Sequence, residues 1–399
     1  MKTPATFLRG LLAIVLLLPI GCVEPYAPDV IDAPPSLLVV DGFINAAGPT
    51  TIRLSRTASL AATITPPPEA RARLVIEQQN GPNYPLTETT LGTYVSAANV
   101  LPAGSLCRLR ITTGTGKEYA SDFVPVKLTP PIETLRWTPA NNQVNVLVST
   151  RDDTGASQYY RWEYEQTWEI TPPYRPSVEY VKLGSDTGFM RRIAIPYPTL
   201  CWTSNKSTRI LLSQTTALSQ DIVVDFRVQG LSAGSPELNT RYSILVRQQA
   251  LTAAEYTYWE QLRKNTENIG SLFDPQPSQS VGNVRSLSAD DASLVLGFVG
   301  AHSVTEKRQF ISYEELPSNW SRSTGYEACL PPDTVFLGSR GLDPPSATPA
   351  QIQFLAFASQ LYLPIDAIPN LSSAVAFTAK KRDCVDCRTR GTAVRPSFW

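Results

Sequence analysis

The chain has 399 residues, with 35 basic and 35 acidic side chains and a single histidine. A formal charge of zero excludes the basic footprint that nucleic-acid binding requires. One histidine excludes an H-E-x-x-H zinc motif and makes any Ser-His-Asp triad depend on His302.

Lys2 and Arg9 followed by the apolar run Leu11 to Leu18 form a signal peptide, too short to span a membrane. It runs into Leu18-Pro19-Ile20-Gly21-Cys22, which resembles a bacterial lipoprotein signal in which Cys22 is lipidated and becomes the mature N-terminus. Residues 1–21 are thus the signal, and the Pro-rich residues 22–35 a tether. Removing the signal leaves 33 basic against 35 acidic side chains, so no net charge draws the mature chain to an anionic surface. No later apolar run reaches membrane-spanning length. The expectation is a body held to a membrane by lipid alone.

Thirty-four prolines among short apolar runs point to a mainly β fold. Residues 36–127 read as an immunoglobulin-like β-sandwich of six or seven short strands. Leu74 and Ile76 alternate with Val75 and Glu77, and Leu109 and Ile111 with Arg108 and Arg110, as half-buried strands do. Leu128-Thr129-Pro130-Pro131 marks the boundary, because consecutive prolines break both strand and helix.

Residues 132–399 read as a larger antiparallel β-rich domain. Its clearest strand puts Tyr160, Trp162, Tyr164, Gln166, Trp168 and Ile170 on one face and Arg161, Glu163, Glu165, Thr167 and Glu169 on the other. One reading of this strand is a buried aromatic face and a wet charged one. The other is a binding surface in which Trp162 and Trp168 stack on a sugar and Glu163 and Glu165 act as a glycosidase pair. Further strands follow at RRIAI, RILLS, DIVVDFRV and YSILVRQ, then the most recognisable stretch, Arg241 to Val284.

Here Thr252 and Glu255 form a T-x-x-E capping box, with Leu251 and Tyr256 at the staple positions. An amphipathic helix over about 253–268 follows, with Tyr256, Trp259, Leu262 and Ile269 on its core face and Gly270 as its stop. LVLGFVGAHSV and RQFISY are assigned as later strands of the same domain, and Thr348-Pro349-Ala350-Gln351 as a second helix start. No internal repeat is visible.

Five cysteines remain after Cys22. In an exported chain disulfides are the default, here joining Cys201 and Cys329 to Cys384 and Cys387 with the connectivity open. The alternatives are a redox Cys384-x-x-Cys387 or a four-cysteine zinc site. Cys107, in a strand, reads as a free core thiol. The residues point to no metal site, cofactor or catalytic constellation: no G-x-S-x-G, P-loop or G-x-G-x-x-G occurs.

Several ordered motifs together resemble the domain-of-unknown-function 4249 family of Bacteroidota lipoproteins. They are the lipoprotein start, LLVVDGFI, YRWEYEQTWEI, CW at 201–202, RYSILVRQQALTAAEYTYWEQL, SLFDPQPSQSVGNV, the GF strand ending in KRQFI, and CVDCRTRGTAVRPSFW. The resemblance implies an outer-membrane lipoprotein, facing either side of that membrane, often encoded beside a TonB-dependent receptor. It carries no catalytic residues over. Two function classes follow: a non-enzymatic accessory or ligand-binding component of such an uptake system, taking a small-molecule or glycan ligand, or an exported hydrolase of glycan or peptide working through Glu163 and Glu165.

Overall fold

The computed structural model describes residues 36–58, 66–267, 282–288, 294–338 and 347–399. Cys22, the tether, Ile269 and Gly270 lie outside them. The described chain is mainly β.

In the N-terminal part the hydrogen-bonded order of strands is Val284–Ser286, Glu118–Ser121, Leu106–Thr112, Arg73–Gln78, Asn83–Thr90, Thr93–Val100, Ala47–Arg56, Leu38–Gly42 and Val295–Leu296, with Val124–Pro125 pairing beside Leu106–Thr112. The alternation read from sequence sets the register: Leu74 faces Ile111 and Ile76 faces Leu109, all fully buried. On the outer face Arg108 meets Glu77 at 2.7 Å and Arg110 meets Glu118 at 2.9 Å. The inward residues of these strands form one apolar cluster, so the sheet wraps around its own apolar face. The pairing is one continuous path where a sandwich would have two separate sheets. Irregularities at Pro49/Thr51 and Glu88/Thr90 supply the bends that let strands turn the corner. Cys107 is a free, fully buried thiol in this core, and burial pushes its pKa up.

Two strands on the rims of this sheet come from far along the chain. Val284–Ser286 pairs with Glu118–Ser121, and Val295–Leu296 runs parallel to Leu38–Gly42. Ala301–His302 likewise lies parallel to Ile44–Asn45. The stretch LVLGFVGAHSV, assigned from sequence to the second domain, therefore completes the first. Gly297, with φ +119°, permits the close approach: a Cβ there would stand 2.0 Å from the Val40 carbonyl oxygen.

The second part packs a three-stranded sheet (Ile132–Ala140, Gln143–Arg151, Ile222–Ser232) against a larger one (Cys201–Lys206, Tyr159–Ile170, Arg241–Ala250, Val304–Ser312), with Leu211–Gln214 also bonded to Tyr159–Ile170. Helix α1, Ala253–Glu267, begins as expected: Thr252 Oγ1 accepts from the Glu255 amide at 3.2 Å, and Leu251 and Tyr256 are buried together. The Glu255 carboxylate does not turn back to close a capping box. It is buried against His302, with Oε1 3.5 Å from Nε2, and His302 stacks on Phe43 with ring centroids 4.2 Å apart. Gly300 makes room, since a Cβ there would lie 2.1 Å from Glu255 Oε2.

A smaller C-terminal unit joins the hairpin Val178–Lys182/Gly188–Arg192, the sheet Asp333–Phe336/Ala376–Lys381/Tyr362–Ile368 and helix α2, Pro349–Phe357. Helix α2 starts where sequence placed it, with a reciprocal Thr348/Gln351 capping box. Disulfides Cys201–Cys387 and Cys329–Cys384 tie this region to the second part. All four sulfurs are committed to these bonds, so Cys384 and Cys387 form neither a redox pair with each other nor half of a zinc site. Beside them the buried Asp386 carboxylate is held by Arg388 at 2.8 Å and Arg382 at 3.2 Å.

The Cys329–Cys384 bond closes a loop of sequence separation 55. Replacing both residues by Ser should cost about 2–4 kcal/mol. A lowered melting temperature of the double variant checks this, and an unshifted melt would show that the bond adds no stability.

Candidate functional site

The strand Tyr159–Ile170 separates the residues that a carbohydrate site would bring together. Trp162 is fully buried; its Nε1 donates to Gln248 Oε1 at 2.9 Å, and its ring stacks on Phe226 and Tyr160 with centroids 4.5 and 5.8 Å away. Trp168 is half-buried between two apolar clusters. Glu163 and Glu165 project from the opposite face, where Glu163 is paired with Arg161, and Glu165 lies 3.6 Å from Arg247. Arg247 also binds Glu306 at 2.6 Å. The strand is thus the wall of a core on one side and a ladder of ion pairs on the other. Among the described residues the two carboxylates and the two tryptophans lie on opposite faces of the strand, with Trp162 fully buried.

The ladder is covered at both ends. Trp259, expected on the core face of α1, is half-buried and lies over the Arg161 guanidinium at 3.8 Å from the ring centroid. At the other end the C-terminus folds back: Arg308 lies 3.5 Å from the Phe398 ring centroid, and Trp399 Nε1 donates to Glu169 Oε1 at 2.9 Å. The closing Ser-Phe-Trp had no visible role in sequence, because its partners are scattered over three strands.

A more concave region lies where the two parts of the chain meet. It consists of two adjoining cavities, of about 590 Å³ and about 290 Å³, which share the wall Arg151 to Thr154. The larger has an apolar floor of Ala103, Val126, Leu128, Pro130 and Pro131, with Lys127, Glu133 and Arg151 around it. Lys127 is spent structurally, its Nζ donating to the Ala156 carbonyl at 2.8 Å. Arg151 is less committed, 3.7 Å from Glu133 and 3.9 Å from Asp153. A half-exposed guanidinium with only long ion pairs retains donors for a ligand.

The smaller cavity is lined by Asp152, Asp153, Ser219, Gln220 and Asp221. Its two key carboxylates differ in environment. Burial raises the pKa of Asp221, against hydrogen bonds from Thr215 Oγ1 at 2.6 Å and Tyr160 Oη at 3.0 Å. Burial also acts on Asp152, but hydrogen bonds from Thr154 and Ser157 outweigh it and hold that carboxyl below its ordinary value. The proline pair that marked the boundary in sequence contributes to the floor. Asp221 gave no signal, because a lone Asp after Ser-Gln resembles any turn.

The family model for Domain of unknown function (DUF4249) matches residues 23–308. The chain belongs to that family. The DUF4249 match takes in the N-terminal sheet, the ladder strands, α1 and both cavities, and ends within Val304–Ser312. No curated protein matches the chain. Solved structures it is similar to include one described as complete manganese lipoxygenase of Gaeumannomyces graminis with partial zonadhesin of Komagataella pastoris, at 13% identity, TM-score 0.16, covering 55% of this chain and 91% of that one. Another is a Bacteroides uniformis protein put forward as carbohydrate-binding, at 9% identity and TM-score 0.14, covering 55% and 92%. A third is the Yersinia pseudotuberculosis adhesin InvE, at 13% identity and TM-score 0.14, covering 54% and 55%. At these scores the likenesses carry no argument about this DUF4249 chain.

Two outcomes test the site's energetics. A raised Asp221 pKa means a contribution to stability that is present below the unfolded value near 3.8 and lost as pH rises through the higher folded value. Asp221→Asn should therefore melt no lower than the parent near pH 7, while losing the parent's pH dependence in the acid range; a variant clearly less stable at pH 7 would show the ionised form to be stabilising. Trp259→Ala removes a half-buried ring and its cation–π contact, which should cost about 1–2 kcal/mol rather than the larger loss of a fully buried aromatic. Chemical denaturation of the variant measures that difference.

Proposed function

We propose that this DUF4249 chain is a lipid-anchored, non-enzymatic ligand-binding or accessory component of an outer-membrane uptake system, working beside a TonB-dependent receptor. The observation that carries the reading is the double cavity at the junction. Ligand sites favour such junctions, with mostly apolar walls and a few convergent polar groups. Here apolar prolines and Leu128 meet Arg151, whose guanidinium is only loosely paired. Family membership and the Cys22 signal support the membrane setting.

The competing hydrolase reading needed Glu163 and Glu165 in an aromatic-lined cleft. Arginine partners and a flat ladder remove its geometric basis. What remains is a scaffold whose concave surface suits holding a small molecule or a short segment of a partner.

The anchor and the cavity are tested separately. Cys22→Ala should release the protein from outer-membrane fractions; undiminished co-fractionation would rule out lipid as the main tether. For the cavity, protein solubilised in mild detergent should carry a co-purifying molecule visible by native mass spectrometry. Leu128→Asp with Arg151→Ala should remove it at least tenfold. Retention of the same species by that double variant would place binding elsewhere.

A further inference from the structure

Helix α2 has an unusual composition for a surface helix. No charged residue occurs between Asp343 and Asp366, and the helix PAQIQFLAF has no polar face of the kind that normally turns to water. Only Phe357 is fully buried, fixed by edge-on contact with Phe377 and by Tyr180 and Tyr362 around it. Leu355 on the helix is 77% exposed, and Leu361 just beyond it 74%.

The exposure is shared by the neighbouring elements. Eight of the eighteen exposed large apolar side chains among the described residues fall on the small C-terminal unit, Ile195 and Val375 largely exposed and Phe189 and Ile368 about two-fifths exposed. The Val375 amide donates to the Ile368 carbonyl at 2.8 Å, which sets those two together at one end of the sheet. Helix α2 lies against both Gly188–Arg192 and Tyr362–Ile368, so these residues sit on adjoining elements. Clustered apolar exposure on this scale marks an interaction surface, whereas single exposed residues do not.

Charge at the border indicates what covers it. Arg191 is neutralised by Glu179 at 2.8 Å, and Lys380 by Asp333 at 3.0 Å. Lys182, Arg192 and Lys381 are exposed and have no carboxylate within ion-pair distance among the described residues. Lys182 reaches over the Phe354 ring of α2, its Nζ 5.7 Å from the centroid. Against these cations stand Asp186 at the hairpin tip and Asp366, which accepts from Ser177 Oγ at 2.5 Å. An uncharged apolar helix bordered by cations on flexible stems is the arrangement that settles into a lipid headgroup region: the apolar side chains enter the acyl boundary while Lys and Arg meet phosphates. A near-neutral chain as a whole conceals this local pattern.

We propose that the α2 face of the C-terminal unit docks on an anionic lipid surface. This goes beyond the ligand-binding reading and does not need the Cys22 anchor. Each contact is weak, as expected for a protein that would also have a covalent lipid.

The test uses the chain from Val23 to Trp399, which lacks both signal and anchor. It should co-sediment with vesicles of phosphatidylethanolamine and phosphatidylglycerol, bind phosphatidylcholine vesicles at least tenfold less, and be released by salt. Leu355→Glu with Leu361→Glu, both at exposed positions that leave Phe357 in place, should lower co-sedimentation at least tenfold with an unchanged melting temperature. Absence of binding to the anionic vesicles, or binding equal in the double variant, would overturn the proposal. So would light scattering that shows a dimer of the unlipidated chain broken by the same substitutions, since a second copy would then be the occupant. Membrane release on Cys22→Ala is a separate result and leaves this experiment unaffected.

Discussion

The contact between Glu255 and His302 is the constraint on which the arrangement of the chain depends. Both side chains are almost wholly withdrawn from water, and burying a carboxylate is costly unless an opposite or hydrogen-bonding group compensates it. The polar group nearest to it is His302 at 3.5 Å, on the strand that pairs with Ile44–Asn45, whereas Glu255 belongs to a helix of the second part; among the described residues Glu255 Oε2 and His302 Nδ1 have no hydrogen-bond partner. The backbone around the contact is knitted in the same way: Thr129 links the Ser303 backbone to the Ala250 amide, and Gln248 Nε2 donates to the Pro130 carbonyl. The junction that shapes the two cavities is thus made of hydrogen bonds that cannot be shifted one at a time.

Such a junction explains why the cavities can be roomy without being loose. Their walls come from segments fixed at both ends: 125–131 between two paired strands, and 151–157 between the end of Gln143–Arg151 and the start of Tyr159–Ile170. A site on rigid supports loses less entropy on binding than one on free loops. The ion-pair ladder on the neighbouring face contributes differently. Its pairs are partly solvated and each is worth little; they keep a wide sheet face wet between Trp259 and the C-terminal aromatics.

Much of this was legible in the residues, for identifiable reasons. The alternation from Tyr160 to Gln166 named its inward face because period-two patterning is imposed by one-sided burial, but it failed at Thr167, expected on the wet face and fully buried against Ser204, and at Trp168, which is only half-buried. Four cysteines for two bonds were recognisable from an exported context, but their pairing depends on tertiary distance and was not. Thr252 and Glu255 showed the start of α1, yet the same T-x-x-E pattern serves a local capping box and a long-range buried carboxylate equally well. The rim strands at 284–302 could not be placed, because runs of two or three residues carry no periodicity and their partners lie at the opposite end of the sequence. Arg151 and Asp221 were invisible as site residues, since only the folded junction makes them neighbours.

The late arrival of those rim strands has a consequence for biogenesis. A polypeptide made from its N-terminus presents Leu38–Gly42 and Glu118–Ser121 long before Val295–Leu296 and Val284–Ser286 emerge to pair with them. Throughout that interval both rims of the first sheet are bare β edges, the feature most prone to mispairing with other chains. Completion waits on contacts between remote parts of the sequence, which form slowly. The newly made chain therefore carries two uncovered edges until well into its final third, a demand for shielding that a sequentially folding two-domain chain of the same length would not make.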